Sequence, residues 1–252
     1  MLNSTETNLS GLIALKEQRY GSAQATLGAI PNMSFWLDAA DSSTIDESSG
    51  SVGQWNDKSG NSYSVSQSTG SRQPTTGVDS LNGKNVISFD GGDSLDSTDA
   101  GLLAITQSAQ TMFVVAKRDT ETGSFEPMYN FRTGAAANAA FMLFSTVAGN
   151  IDYRNNTSGT LPNTGNTNTD FQILRGRRNG TTQAIAVNGG AEATNNSGGD
   201  NASSVMYLGS LSGVGNFLFG DIAEVIFYNR SLSTAEISIV ENYLSSKWGI
   251  TI

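Results

Sequence analysis

The chain has 252 residues, with 23 acidic and 14 basic side chains and a formal net charge of −9. That balance argues against a nucleic-acid binder, which needs a basic face for the phosphates. There is no histidine and no cysteine, which excludes Ser–His and Cys–His nucleophile relays, a disulfide framework and thiolate metal sites.

In chain order, residues 1–30 read as an arm distinct from the rest of the chain. Asn8 is placed to cap a short helix, Leu9, Leu12, Ile13 and Lys16 follow helical spacing, and Gly21 is a stop. A helix of about 12 residues is marginal in water, so its apolar side either folds back on the body of the protein or rests on a partner. The second alternative makes Leu9, Leu12 and Ile13 assembly or docking residues and favours a homo-oligomer. The opening Met1-Leu2-Asn3-Ser4-Thr5-Glu6 has no basic start and no apolar run, so a secretory leader is not expected. No run of ~18 apolar residues occurs, so insertion into a membrane is not expected.

From Met33 the pattern changes to short apolar patches separated by Gly-, Asn-, Ser- and Asp-rich stretches. The patches are Met33 to Leu37, Val86 to Phe89, Met112 to Ala116, Phe141 to Phe144, Phe171 to Leu174, Ala184 to Val187, Val205 to Leu208 and Ile222 to Tyr228. This is the signature of an all-β sandwich. Asn179-Gly180 and Asn188-Gly189 are candidate central residues of type I′ hairpin turns, where both need positive φ. Asn150 to Arg154 alternates as a half-buried strand would. The Arg175, Arg177, Arg178 cluster lies where a strand runs into a turn and reads as an exposed charged face. At the end, Ser233 and Glu236 form a capping box. Ile237, Val240, Leu244 and Trp248 then share one helix face, which ends near Gly249.

Three blocks, in order, carry a resemblance. The first is Phe35-Trp36-Leu37-Asp38-Ala39-Ala40-Asp41 with Gln54-Trp55-Asn56-Asp57-Lys58-Ser59-Gly60-Asn61. The second is Arg72-Gln73-Pro74-Thr75, Leu81-Asn82-Gly83-Lys84 and Phe89-Asp90-Gly91-Gly92-Asp93. The third is Phe219 to Tyr228, Leu232-Ser233 with Glu236, and the Tyr243 to Gly249 tail. This set resembles the laminin-G-like jelly rolls of the concanavalin A-like lectin/glucanase superfamily, in the versions found in tailed-phage structural proteins and bacterial surface proteins. The resemblance implies a jelly-roll β-sandwich of two antiparallel sheets over residues 31–252, with the N-terminal helical arm outside it and a C-terminal helix packed on it.

The catalytic relatives carry Glu-x-Asp-x-x-Glu on a strand, and a retaining glycosidase needs two carboxylates about 5–5.5 Å apart. The nearest candidates here, Asp221 and Glu224, are three residues apart and should point to opposite faces of a regular strand. No enzyme is expected. Calcium is the one cofactor the resemblance raises; Asp90, Asp93, Asp96 and Asp99 recur at spacing three, and Asp90 and Asp93 are the candidate ligands, against a plain turn role. Glycan binding would use an aromatic platform beside polar side chains, and Tyr63, Tyr129 and Tyr153 stand in polar contexts, whereas Trp36, Trp55 and Trp248 read as structural. The expected function is a non-enzymatic virion-surface structural or adhesion protein, a phage capsid decoration or fibre, docked through the arm to a virion or cell-surface protein and able to bind cell-surface glycans. A free-standing bacterial lectin or adhesin at the cell surface is the alternative, and an atypical glycoside hydrolase the third reading.

Overall fold

The computed structural model describes residues 27–107, 109–120, 123–133, 137–144, 150–155 and 169–252. Leu9, Leu12 and Ile13 lie outside the described residues. The chain is mostly β, with a large antiparallel sheet and a C-terminal helix. Its centre is β16 (Phe219–Tyr228), hydrogen-bonded on one side to β8 (Gln110–Arg118) and on the other to β6 (Lys84–Asp90) and then β1 (Met33–Asp38). Beyond β8 lie β12 (Gln172–Asn179), β13 (Thr182–Val187) and the short β14 (Ala193–Asn195). From β6 the order continues through β5 (Thr75–Leu81), β3 (Ser51–Asn56), β4 (Ser64–Ser66) and β7 (Leu95–Ser97), with β2 (Ile45–Ser48) paired to β3. Toward that end of the sheet come β15 (Val205–Leu208), β9 (Glu126–Thr133), β10 (Ala137–Phe144) and β11 (Ile151–Asn155). A single helical turn, α1 (Ala100–Leu103), links β7 toward β8.

The sheet folds over on itself. Tyr129 on β9 meets Phe227 on β16 with ring centroids 5.1 Å apart, although the two strands are far apart in the hydrogen-bonded order. Tyr153 on β11 lies against Gly176 on β12, where an added Cβ would come within 2.5 Å of its ring. One core therefore fills the space between the two halves. A second lies between the outer face of the central strands and the helix α2 (Thr234–Trp248). Along β8, Met112, Val114 and Ala116 enter the first core, and Phe113 and Val115 the second. Strands covered on both faces read as continuous apolar runs, which is why the Met112 and Ile222 patches show no polar alternation.

The hairpins follow turn chemistry. Asn188 and Gly189 take φ of 47° and 69°, the sign pattern of a type I′ turn. Asn82-Gly83, between β5 and β6, does the same at 50° and 70°. The β12–β13 turn is displaced by one residue from the expected Asn179-Gly180. Asn179 pairs with Thr182, so Gly180 and Thr181 form the loop. Of these two, only Gly180 has positive φ, as a type II′ turn requires. β11 is not half-buried either, because Ile151, Asp152, Tyr153 and Asn155 are all buried beneath neighbouring chain.

Helix α2 begins with both capping-box hydrogen bonds between Ser233 and Glu236 and stops at Gly249, whose φ is 72°. Ile237, Val240, Leu244 and Trp248 are buried as the periodicity requires, and so are Glu241, Tyr243 and Lys247. The body of the protein extends further toward the N-terminus than residue 31. Leu27 and Ile30 are buried in the cluster beneath α2, so the end of the expected arm belongs to the core. No helix among the described residues is long and apolar enough to cross a membrane.

Candidate functional site

The sequence Arg175-Gly176-Arg177-Arg178 places its odd positions on one face of β12 and its even positions on the other. Arg175 and Arg177 face α2. Gly176 faces the inner core, where the Tyr153 ring occupies the space of a side chain. Arg178 is also buried, with Nη2 donating to Asp200 at 2.7 Å. The cluster is therefore not an exposed charged face, because each guanidinium has been drawn in by a carboxylate.

Arg175 donates through Nη1 to Glu241 of α2 and lies 3.5 Å from Glu192 through Nη2. Arg177 grips Glu192 with Nε at 2.9 Å and Nη2 at 2.5 Å, and its Nη1 donates to Ser231 at 3.3 Å. Arg230, just after β16, holds Glu236 with two hydrogen bonds of 2.9 and 2.6 Å. Together these pairs line a cleft of about 810 Å³ between the end of β12, the turn at Gly189-Gly190 and the first turns of α2. Three arginines face three glutamates, so the cleft is balanced in charge and rich in both donors and acceptors. Arg177 holds the Glu192 carboxyl below the usual carboxylate range. Arg230, with Ser233, brings Glu236 down to about 2. Burial pushes Glu241 up despite Arg175.

A smaller cavity of about 250 Å³ lies by Tyr63, with Asn32, Ser34, Asn61 and Asn229 around it. Tyr63 is half-buried, and its hydroxyl sits where a Cβ on Gly101 would be. Asn61 spends its amide on the carbonyls of Met33 and Ser34 and on the Ser59 hydroxyl. Of the three tyrosines considered for glycan contact, Tyr63 alone reaches a cavity wall. Tyr129 and Tyr153 have no exposed surface. They are core residues on the inner faces of β9 and β11, and that assignment is corrected.

Asp90 and Asp93 are not arranged as a calcium cage. The Asp93 carboxylate accepts from the Asp90 N–H at 2.9 Å, and Asp90 accepts from the Gly92 N–H at 2.9 Å. The carboxylates bracket a tight turn, and among the described residues no group of three or more acidic side chains is placed to hold a metal ion.

Asp221 and Glu224 do not obey simple alternation. The β16–β8 register shifts between Ile222 and Glu224, where β6 gives way to β1 as the neighbour. A bulge inserts one residue and resets the faces, so both carboxylates lie on the α2 side. Both are engaged by neighbouring donors. Asp221 accepts from Ser88 at 2.5 Å and pairs with Lys117 at 3.0 Å. Glu224 is wholly enclosed by Trp36 Nε1 at 2.7 Å, Trp248 Nε1 at 2.6 Å, the Tyr243 hydroxyl at 2.9 Å and Lys247 at 2.8 Å.

Sequence reasoning found the arginines and missed their partners. Glu241 carries the one legible signal, since it falls four residues after Ile237 on the apolar face of α2, where an unpaired charge would be costly. Glu192 stands in a polar loop and gives none.

No family model matches this chain, and no curated protein matches it. Among solved structures, Trypanosoma rangeli sialidase in complex with the inhibitor DANA is similar over 92% of this chain and 38% of its own, with TM-score 0.62 and 13% identity. The binding domain of botulinum neurotoxin DC in complex with SialylT is similar over 86% of this chain and 52% of its own, with TM-score 0.57 and 9% identity. The CBM40 of Ruminococcus gnavus IT-sialidase bound to α2,3-sialyllactose is similar over 62% of this chain and 96% of its own, with TM-score 0.50 and 15% identity. The chain thus spans well under half of the sialidase, and at these identities the likeness is one of fold.

Proposed function

We propose that this chain is a non-catalytic, lectin-like glycan-binding module of jelly-roll architecture, displayed on an external surface. The observation that supports it most is the charge-paired cleft beside α2, open and lined by hydroxyls, amides, carboxylates and guanidiniums, on a fold shared with structures that hold sialylated ligands. Sugar hydroxyls donate and accept together, and a wall that alternates the two kinds of group suits them. Display on a virion, as a capsid decoration or fibre docked through the arm at Leu9, Leu12 and Ile13, is the location proposed first, and a bacterial surface adhesin is the alternative.

Hydrolysis is a second reading with one specific support. Glu241 is raised and Glu192 lowered on either side of Arg175, and such divergence is what an acid and an ionised carboxylate need. The binding reading is preferred because Glu241 is itself buried and held by Arg175. The test is a printed glycan array probed with the labelled protein and with Arg177→Met. Binding to a defined subset, lost in the variant, is expected. An array without signal at high protein concentration would remove the glycan reading.

A further inference from the structure

We infer that the cleft selects an uncharged, polyhydroxylated ligand, a neutral oligosaccharide, over an acidic one. This rests on the glycan-binding reading and narrows it. Every guanidinium in the cleft wall already faces a carboxylate. Arg177 and Arg230 are each gripped at two points, by Glu192 and Glu236. An incoming carboxylate would have to displace one of these bidentate pairs, which are the strong form of charge-assisted hydrogen bond, and would meet the remaining glutamates at close range. The whole chain, at −9, adds to the repulsion of an anion.

A sugar hydroxyl needs no displacement. It can donate to the carboxylate edge of a pair and accept from the guanidinium edge while the pair stays intact. Ser231 and Asn179 extend the same donor and acceptor pattern along the wall. The volume, about 810 Å³, falls in the range of sites that enclose a small ligand, roughly 300–1,000 Å³.

The experiment uses matched pairs of oligosaccharides that differ only by a terminal acidic sugar, lactose and α2,3-sialyllactose among them, titrated into the full chain by calorimetry at about 50 mM and about 500 mM salt. Two variants accompany it. Glu192→Gln removes a cleft charge isosterically. Ser238→Trp, on an exposed helix position at the rim, blocks the cleft and touches no ion pair. Melting curves confirm that each variant is folded. The neutral member of a pair should bind at least tenfold more tightly than its acidic partner, with affinity unchanged by salt. Glu192→Gln should weaken it, and Ser238→Trp should abolish it. Preference for the acidic member, affinity that falls with salt, or tightening in Glu192→Gln would overturn the ligand class and leave glycan binding standing. Neutral binding that Ser238→Trp leaves intact would overturn the site. Absence of binding to every pair would overturn the glycan reading itself.

Discussion

Glu224 shows how one side chain ties three elements together. It sits at the centre of a buried cage made by Trp36 on β1, Tyr243, Lys247 and Trp248 on α2, and its own strand β16. Lys247 in turn reaches Asp38, which is also held by Lys58 at 2.8 Å. Removing one member of such a network leaves the others buried and unpaired. Glu224→Ala should therefore lower unfolding stability by about 3–5 kcal/mol, read as a fall in the denaturant midpoint. Glu224→Gln should cost less, because its carbonyl still accepts while Lys247 keeps Asp38. Asp93 works in the opposite sense. Burial, with the nearby Asp90 charge adding to it, pushes its carboxyl up to about 6. The folded state then holds this proton more tightly than the unfolded chain, where a carboxyl titrates near about 3.9. Its contribution is fully present below that lower value and is lost as pH rises through about 6. Stability should fall by about 2 kcal/mol from this group between pH 4 and pH 7, and Asp93→Asn should abolish that slope in a pH series of melting curves. Neither role was legible. The period-two rule failed at the Ile222–Glu224 bulge, and a turn aspartate does not reveal its own burial.

At the scale of elements, α2 was the most legible part of the chain. Its start, its apolar stripe and its stop are local properties, written in Ser233, Glu236, the Ile237 to Trp248 spacing and Gly249. Ser233→Ala should cost about 1 kcal/mol by removing the cap. Glu236, drawn down to about 2 by Arg230 and Ser233, adds stability that is present above the ordinary carboxylate range and lost as pH falls toward about 2. Arg230→Met should flatten that acid limb in the same pH series. The charged members of the buried face were not legible, because their partners come from far along the chain. Arg175 is 66 residues from Glu241, and Asp38 is 209 from Lys247. The arm boundary was missed for a similar reason. Leu27 and Ile30 stand in a small-residue stretch, and only the groove beneath α2 gives them a place in the core. A chain starting at Leu27 should be more stable than one starting at Pro31, by about 1.5–3 kcal/mol for each of these two side chains. Equal denaturant midpoints for the two truncations would contradict their burial.

For the molecule as a whole, the all-β class and the closing helix could be read from patch length and turn chemistry. The folding of one sheet over itself could not, because the β9–β16 contact joins segments with no local signature. The site was half legible: three arginines stood out, but their pairing with Glu192, Glu241 and Asp200 turned an apparent charged face into ion pairs, two of them lining a balanced cleft. Many activities share such a fold, and the charge-balanced cleft is what narrows the reading for this chain. The most direct measurement is to incubate the protein with a mixture of neutral and sialylated oligosaccharides, separate the retained from the free fraction, and weigh both by mass spectrometry. A non-catalytic lectin should retain a subset with every mass unchanged. Shortened products that disappear in Glu241→Gln, or a retained fraction identical to a blank, would contradict the account.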